Sequence, residues 1–283
     1  LCERQSLHRV EQVRHAPVAD LRVEEGRVGL QVTDRRPDPG IAEEERRFDE
    51  ALQWLQRVGD GPQQFNARLR QAIVLAKMQR LDEARRLLAE TPAADDEHRR
   101  QLAMAEGQAL REGRRFDESY QVLSAALERS PEDTALLYDT AMAAERIDRI
   151  DAMETHLRRL MQLKPDDPHA YNALGYTFAD RNTRLEEAYD LIDTALKLAP
   201  DDAHILDSMG WVHFRMGNLA KARGYLERAY ALRQEAEIGA HLGEVLWALG
   251  DHEAARRIWR QVRAEEPENE TLSATLARLQ VRL

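Results

Sequence analysis

The sequence predicts an all-α chain, folded as a right-handed solenoid of about seven helix–turn–helix repeats, one of them partial. Three periodic series predict it. Prolines 131, 165, 200 and 267 are spaced by 34, 35 and 67 residues, with Gln234 standing where the intermediate proline would fall. Small residues recur at Ala72, Gly107, Ala141, Gly175, Gly210 and Gly243, 33–35 residues apart. A third series, Ala51, Ala84, Ser119, Met153, Ala188, Ala222 and Ala255, keeps the same period. A fixed period of this length is the signature of a repeat architecture.

Each series has its own physical content. Proline lacks an N–H and therefore marks the end of a second helix. A glycine inside a helix costs up to about 1 kcal/mol, which close approach of a neighbouring helix offsets. The third series provides the same closeness from the partner helix. Between the two helices lie turns such as "EGRRFDES", "RMGNLAKA" and "ALGDHEAA", where Gly113, Gly217 and Gly250 suit the left-handed cap conformation.

Composition narrows the function. With 43% hydrophobic and 33% charged residues, the 283-residue chain buries a core and is no disordered polymer. No run of 18 apolar residues is present, so no membrane span is expected. A formal charge of −10 without a basic block argues against nucleic acid as a partner. The single cysteine, Cys2, excludes an intrachain disulfide framework and a cysteine-based zinc module.

The helix–turn–helix period and the filling of the packing positions by Met209, Gly210, Ala222, Leu226 and Ala229 resemble the tetratricopeptide (TPR) pattern over roughly 41–283. The repeats read as a partial 41–64, then 65–99, 100–133, 134–167, 168–202, 203–235 and 236–269. Residues 270–283 carry Leu272, Leu276 and Leu279 at helical spacing, as expected of a capping helix. Residues 1–40 stand outside the pattern, an atypical segment read as disordered, misassigned or a short hairpin, because Pro37, Pro39 and Gly40 interrupt the extrapolated helix.

The stretches 136–229 and 240–259, notably "LGYTFADR" and "LDSMGWVHFRMG", are similar to the C-terminal half of a bacterial TPR lipoprotein family. The first of these segments has one extra residue in its interhelical turn. That resemblance implies a periplasmic adaptor, outer-membrane-anchored in the full-length protein. Its implied partners are a carboxyl-terminal processing protease and the envelope substrates that protease degrades. Cys2 invites comparison with a lipidation site, but Leu1 stands where such a site has a small residue. The alternatives are a cytoplasmic or inner-membrane assembly factor for pilus or envelope biogenesis, and the TPR half of a larger enzyme such as a glycosyltransferase.

No phosphate-cradling loop, His-Glu-x-x-His helix or Gly-x-Ser-x-Gly elbow occurs, and no catalytic, metal or cofactor-binding residue is assigned. His169 and His204 read as solvent-facing, and His213 as a hydrogen-bonded histidine between helices. The acidic clusters at 165–169 and 199–204 read as helix caps. In a TPR superhelix the first helices line the concave face. Their outward positions give Tyr138, Met142, Glu145, Arg146, Asn172, Tyr176, Asp180, Asp207, Trp211, Phe214, Arg215, Glu244 and Trp247. Five aromatics thus fall on one face, the mark of a binding surface for a protein or peptide. The protein-binding groove is assigned to Tyr138, Met142, Asn172, Tyr176, Asp180, Trp211, Phe214, Arg215, Glu244 and Trp247. The Lys/Asn pair of a chaperone-tail carboxylate clamp is missing at every corresponding pair of positions, such as Asn172/Tyr176 and Asp207/Trp211.

Overall fold

A computed structural model describes residues 39–59 and 61–283. The expectations for Cys2 and for residues 1–38 lie outside the described residues. Fifteen helices and no strand occur among those described, an all-α solenoid of helical repeats. Contacts divide the described chain into two compact units, 39–150 and 151–283.

The first unit holds α1 (Pro39–Glu44), α2 (Phe48–Gln56), α3 (Gln64–Lys77), α4 (Leu81–Ala89), α5 (Asp96–Glu112), α6 (Phe116–Arg129) and α7 (Thr134–Arg146). Proline opens α1 rather than interrupting it, since the first helical position needs no N–H donor. Its core joins Leu52, Leu55, Leu69, Val74 and Leu88 with Ala72, Ala84 and Ala105.

The second unit holds α8 (Ile150–Leu163), α9 (Pro168–Asp180), α10 (Leu185–Leu198), α11 (Ala203–Arg215), α12 (Leu219–Leu232), α13 (Ala236–Ala248), α14 (His252–Glu265) and α15 (Glu270–Leu279). Trp259 is fully buried, and its indole N–H donates to the Ala240 carbonyl at 3.2 Å. Leu272 and Leu276 of α15 are buried against α13 and α14 in the same cluster.

The periodic residues act as their chemistry dictates. Each of Pro131, Pro165, Pro200 and Pro267, and Gln234, stands two positions beyond the end of a second helix. A methyl added at Gly210 would lie 2.6 Å from Leu226, and one at Gly243 2.1 Å from the Trp259 indole nitrogen. Only glycine admits the partner helix that closely. The Asp167 carboxylate accepts the His169 amide at 3.0 Å, and Asp202 accepts those of His204 and Ile205 at 2.9 and 3.1 Å. Both acidic clusters are therefore caps.

The turn between the two helices of each repeat contains a left-handed residue at the same point. These are Arg46, Gln79, Arg114, Asp148, Asn182, Gly217 and Gly250, with φ between +54° and +85°. Gly217 and Gly250 take the conformation as expected. Gly113 does not: its φ is −79°, and the left-handed residue is Arg114, one position later. The turn between α9 and α10 is one residue longer than the others, and Arg184 there adds a second left-handed residue.

Candidate protein-binding face

In the unit 151–283, α11 lies between α9 and α13, all three being first helices. Gly175, Gly210 and Gly243 press them against α10, α12 and α14. The opposite face of each is thereby turned away from the second helices. On it, residues three and four apart share one stripe, so Asp207, Trp211, Phe214 and Arg215 follow one another along α11.

The centre of this face is a buried ion pair under an aromatic ring. His241 of α13 donates from Nδ1 to the Asp207 carboxylate, 3.0 Å from both oxygens. Both residues are buried. Burial alone would push the imidazole pKa down; the Asp207 carboxylate, helped by Glu237 and Asp180, outweighs it and holds His241 up at about 9. The Trp211 ring stacks on His241 with centroids 4.1 Å apart and planes 20° from parallel. A charged imidazole over an indole adds a cation–π attraction. Phe214 meets Trp211 at 5.1 Å, Tyr176 meets His241 at 6.1 Å, and the Arg215 guanidinium lies 5.7 Å from the Trp211 ring centre.

The assigned groove residues divide by exposure. Tyr138, Asn172, Tyr176, Trp211 and Glu244 are buried, with Trp211 at 4%. Met142, Asp180, Phe214, Arg215 and Trp247 keep partial exposure. The expectation of five exposed aromatics is thus corrected: Phe214 and Trp247 alone of the five present surface. The cause is the neighbouring helix, because His241 reaches from α13 to cover Trp211. Tyr138 and Met142 belong to α7 in the other unit. Glu244 is tied to α15, its Oε2 accepting from Arg278 Nη2 at 2.6 Å and from Thr275 Oγ1 at 3.3 Å. Trp247 stands apart from the Trp211 group: it stacks on His252 at 4.0 Å and tilts on Trp259 at 5.7 Å.

His213 is also corrected. It is buried between Tyr189 and Tyr225, with ring centroids 5.5 and 5.6 Å away, and its Nδ1 has no hydrogen-bond partner among the described residues. It packs as an aromatic, and burial holds its pKa below the ordinary value. His169 and His204 are half-buried, not solvent-facing; His204 lies 3.6 Å from Glu235. Sequence reasoning missed the His241–Asp207 pair. Its signal was a 34-residue spacing between an acid and a base on adjacent first helices.

Two tetratricopeptide repeat models match the sequence, one over residues 42–109 and the other over 104–152 and 208–270. The chain is a tetratricopeptide repeat protein. Such TPR repeats typically form non-catalytic scaffolds that bind other proteins. The TPR repeat-containing protein PA4667 of Pseudomonas aeruginosa is 42% identical over 204 residues, 72% of this chain. The chain spans 35% of that relative's length. The TPR fold is also seen in a protein from Parabacteroides merdae, with a TM-score of 0.65 at 13% identity, covering 86% of this chain and 96% of that one. A thermophilic TPR protein from Thermus thermophilus gives 0.58 at 21% identity, covering 64% of this chain and 100% of that one.

Proposed function

We propose that the TPR chain is a non-catalytic adaptor that holds a partner protein on the first-helix face of α9, α11 and α13. The observation that supports this reading is the platform at its centre. Phe214 and Arg215 keep partial exposure beside Trp211, which is fixed by stacking on a buried, Asp207-paired His241. Side chains already locked by packing lose little conformational freedom on binding, so more of the contact energy appears as affinity. A partner's apolar side chain covers Phe214, and its polar groups meet Arg215 and Asp180 at the edge.

The finer part of the proposal rests on the resemblance of 136–229 and 240–259 to envelope TPR lipoproteins. In that role the adaptor works in the periplasm, anchored to the outer membrane, and presents envelope substrates to a carboxyl-terminal processing protease. Holding both raises the effective concentration of substrate at the protease. Affinity capture from an envelope extract, comparing wild type with Phe214→Ala, tests both parts. The expected result is a processing protease or its substrate in the wild-type eluate and a marked loss with the variant, whose circular dichroism is unchanged. Equal capture by the two proteins would remove the face from the proposal, and a wild-type eluate without either partner would remove the protease role.

A further inference from the structure

Ion pairs between successive second helices follow one rule in both units. On α4, Arg85 comes one position after the buried Ala84, and its Nη1 donates to Glu118 Oε2 at 3.0 Å in the first turn of α6. On α8, Arg158 comes one position after the buried Leu157, and its Nη2 donates to Glu187 Oε1 at 2.5 Å in the first turn of α10. Glu118 and Glu187 each immediately precede a small buried residue, Ser119 and Ala188. Arg184, at the start of α10, returns the contact to Glu154 of α8 at 2.8 Å. One flank of a second helix thus receives the acidic first turn of the next.

Helix α14 carries arginines on the same flank, and among the described residues no later helix sets an acidic first turn against them. Arg256, Arg260 and Arg263 each come one position after a buried core residue, Ala255, Trp259 and Val262. Their spacings of four and three place them on one side of the helix. Arg260 and Arg263 are exposed and have no carboxylate within ion-pairing distance among the described residues. Arg256 lies 5.0 Å over the Trp247 ring and 3.7 Å from Glu253, a side chain 87% exposed. Three like charges on one flank repel one another, and a carboxylate placed among them reverses that repulsion.

We propose that the flank of α14 formed by Arg256, Arg260 and Arg263 docks a helix of a partner protein that carries an acidic first turn, as Glu118 and Glu187 dock within the chain. The chemistry recognised is an acid immediately before a small residue, the pattern of Asp49-Glu50-Ala51 and Asp82-Glu83-Ala84 in this sequence. Arg256 lies over Trp247 of α13, but the contacts proposed for Phe214 and Arg215 involve none of these arginines, so Phe214→Ala leaves the flank untouched and failure of one reading does not imply failure of the other.

The test uses the full chain and a fluorescein-labelled synthetic helix that begins Asp-Glu-Ala, read by anisotropy at low and at physiological salt. A second peptide of the same composition places both acids in its last turn. The expected result is salt-dependent binding of the first peptide, weakened about tenfold by Arg260→Glu with Arg263→Glu. A third peptide with arginines in place of the acids should then bind that double variant better than wild type. Both sites are exposed, and circular dichroism confirms that the variant folds; Arg260→Gln with Arg263→Gln serves if it does not. Equal binding of the first two peptides, or of wild type and variant, overturns the proposal.

Discussion

Replacing Asp207 by Asn removes the carboxylate that keeps His241 charged, and the size of the effect follows from the geometry. The imidazole rises from its ordinary 6.5 to about 9 in the folded chain. At about 1.36 kcal/mol per pH unit, that climb corresponds to roughly 3 kcal/mol of preference for the charged form. Because the folded value is raised, this stability is fully present below pH 6.5 and is lost as pH rises through about 9. In Asp207→Asn the imidazole stays buried without its counter-charge, and desolvation then favours the neutral ring. The variant should already lack the contribution at pH 6.5 and change little between 6.5 and 9. A repeat protein opens locally rather than all at once. The assay is therefore amide hydrogen exchange of α11 and α13 across this window, with imidazole titration by NMR. Parallel loss of protection in wild type and Asp207→Asn, or no loss in either, would refute the reasoning.

Glycine substitutions should differ in sign. Gly243→Ala puts a methyl 2.1 Å from the Trp259 nitrogen and should destabilise by about 1–3 kcal/mol, whereas Gly224→Ala meets nothing within 4 Å and should stabilise by about 0.5–1 kcal/mol. Thermal melts of the two variants decide it, and shifts in the same direction would contradict the packing described. Trp211→Ala removes a ring that is 4% exposed and should lower stability by about 3–5 kcal/mol, while partly exposed Phe214 should lose clearly less on replacement by alanine. Removing 270–283 uncovers the cluster around Leu272 and Leu276 and strips Arg278 from the buried Glu244. Exchange protection should then fall in α13 and α14 and persist in α9 and α10; a truncated monomer with unaltered protection would show that α15 is a tail.

The helices were legible because backbone rules act locally. Proline stops a helix wherever it stands, and a glycine such as Gly210 or Gly243 inside an apolar stretch marks a close helix contact. The register also placed Asp207, Trp211 and Phe214 on one face of α11. It did not give the depth of that face. Whether Trp211 is open or covered depends on how far a side chain of the neighbouring repeat extends, and His241 falls one position away from the register place equivalent to Asp207. His213 shows the same limit, since two tyrosines from different helices satisfy it by stacking. The turn at Gly113 failed for a different reason: the left-handed residue is set by the end of α5, and Arg114 is the residue there.

That left-handed position has a consequence for the order in which the array opens. An L side chain in this conformation costs roughly 1–2 kcal/mol, which glycine avoids and which Asn and Asp lessen. The turns at Arg46, Gln79 and Arg114 carry it in full, that at Asp148 in part, that at Asn182 in part with Arg184 adding a second, full cost, and those at Gly217 and Gly250 not at all. This cost therefore falls on the first five turns and is absent from the last two. Since the stability of a solenoid is close to a sum over its repeats and their contacts, the strained turns, from Arg46 to Arg184, are where transient unfolding and proteolytic nicking begin. The repeats that carry Trp211 and His241 have the two unstrained turns and keep their shape while the others breathe.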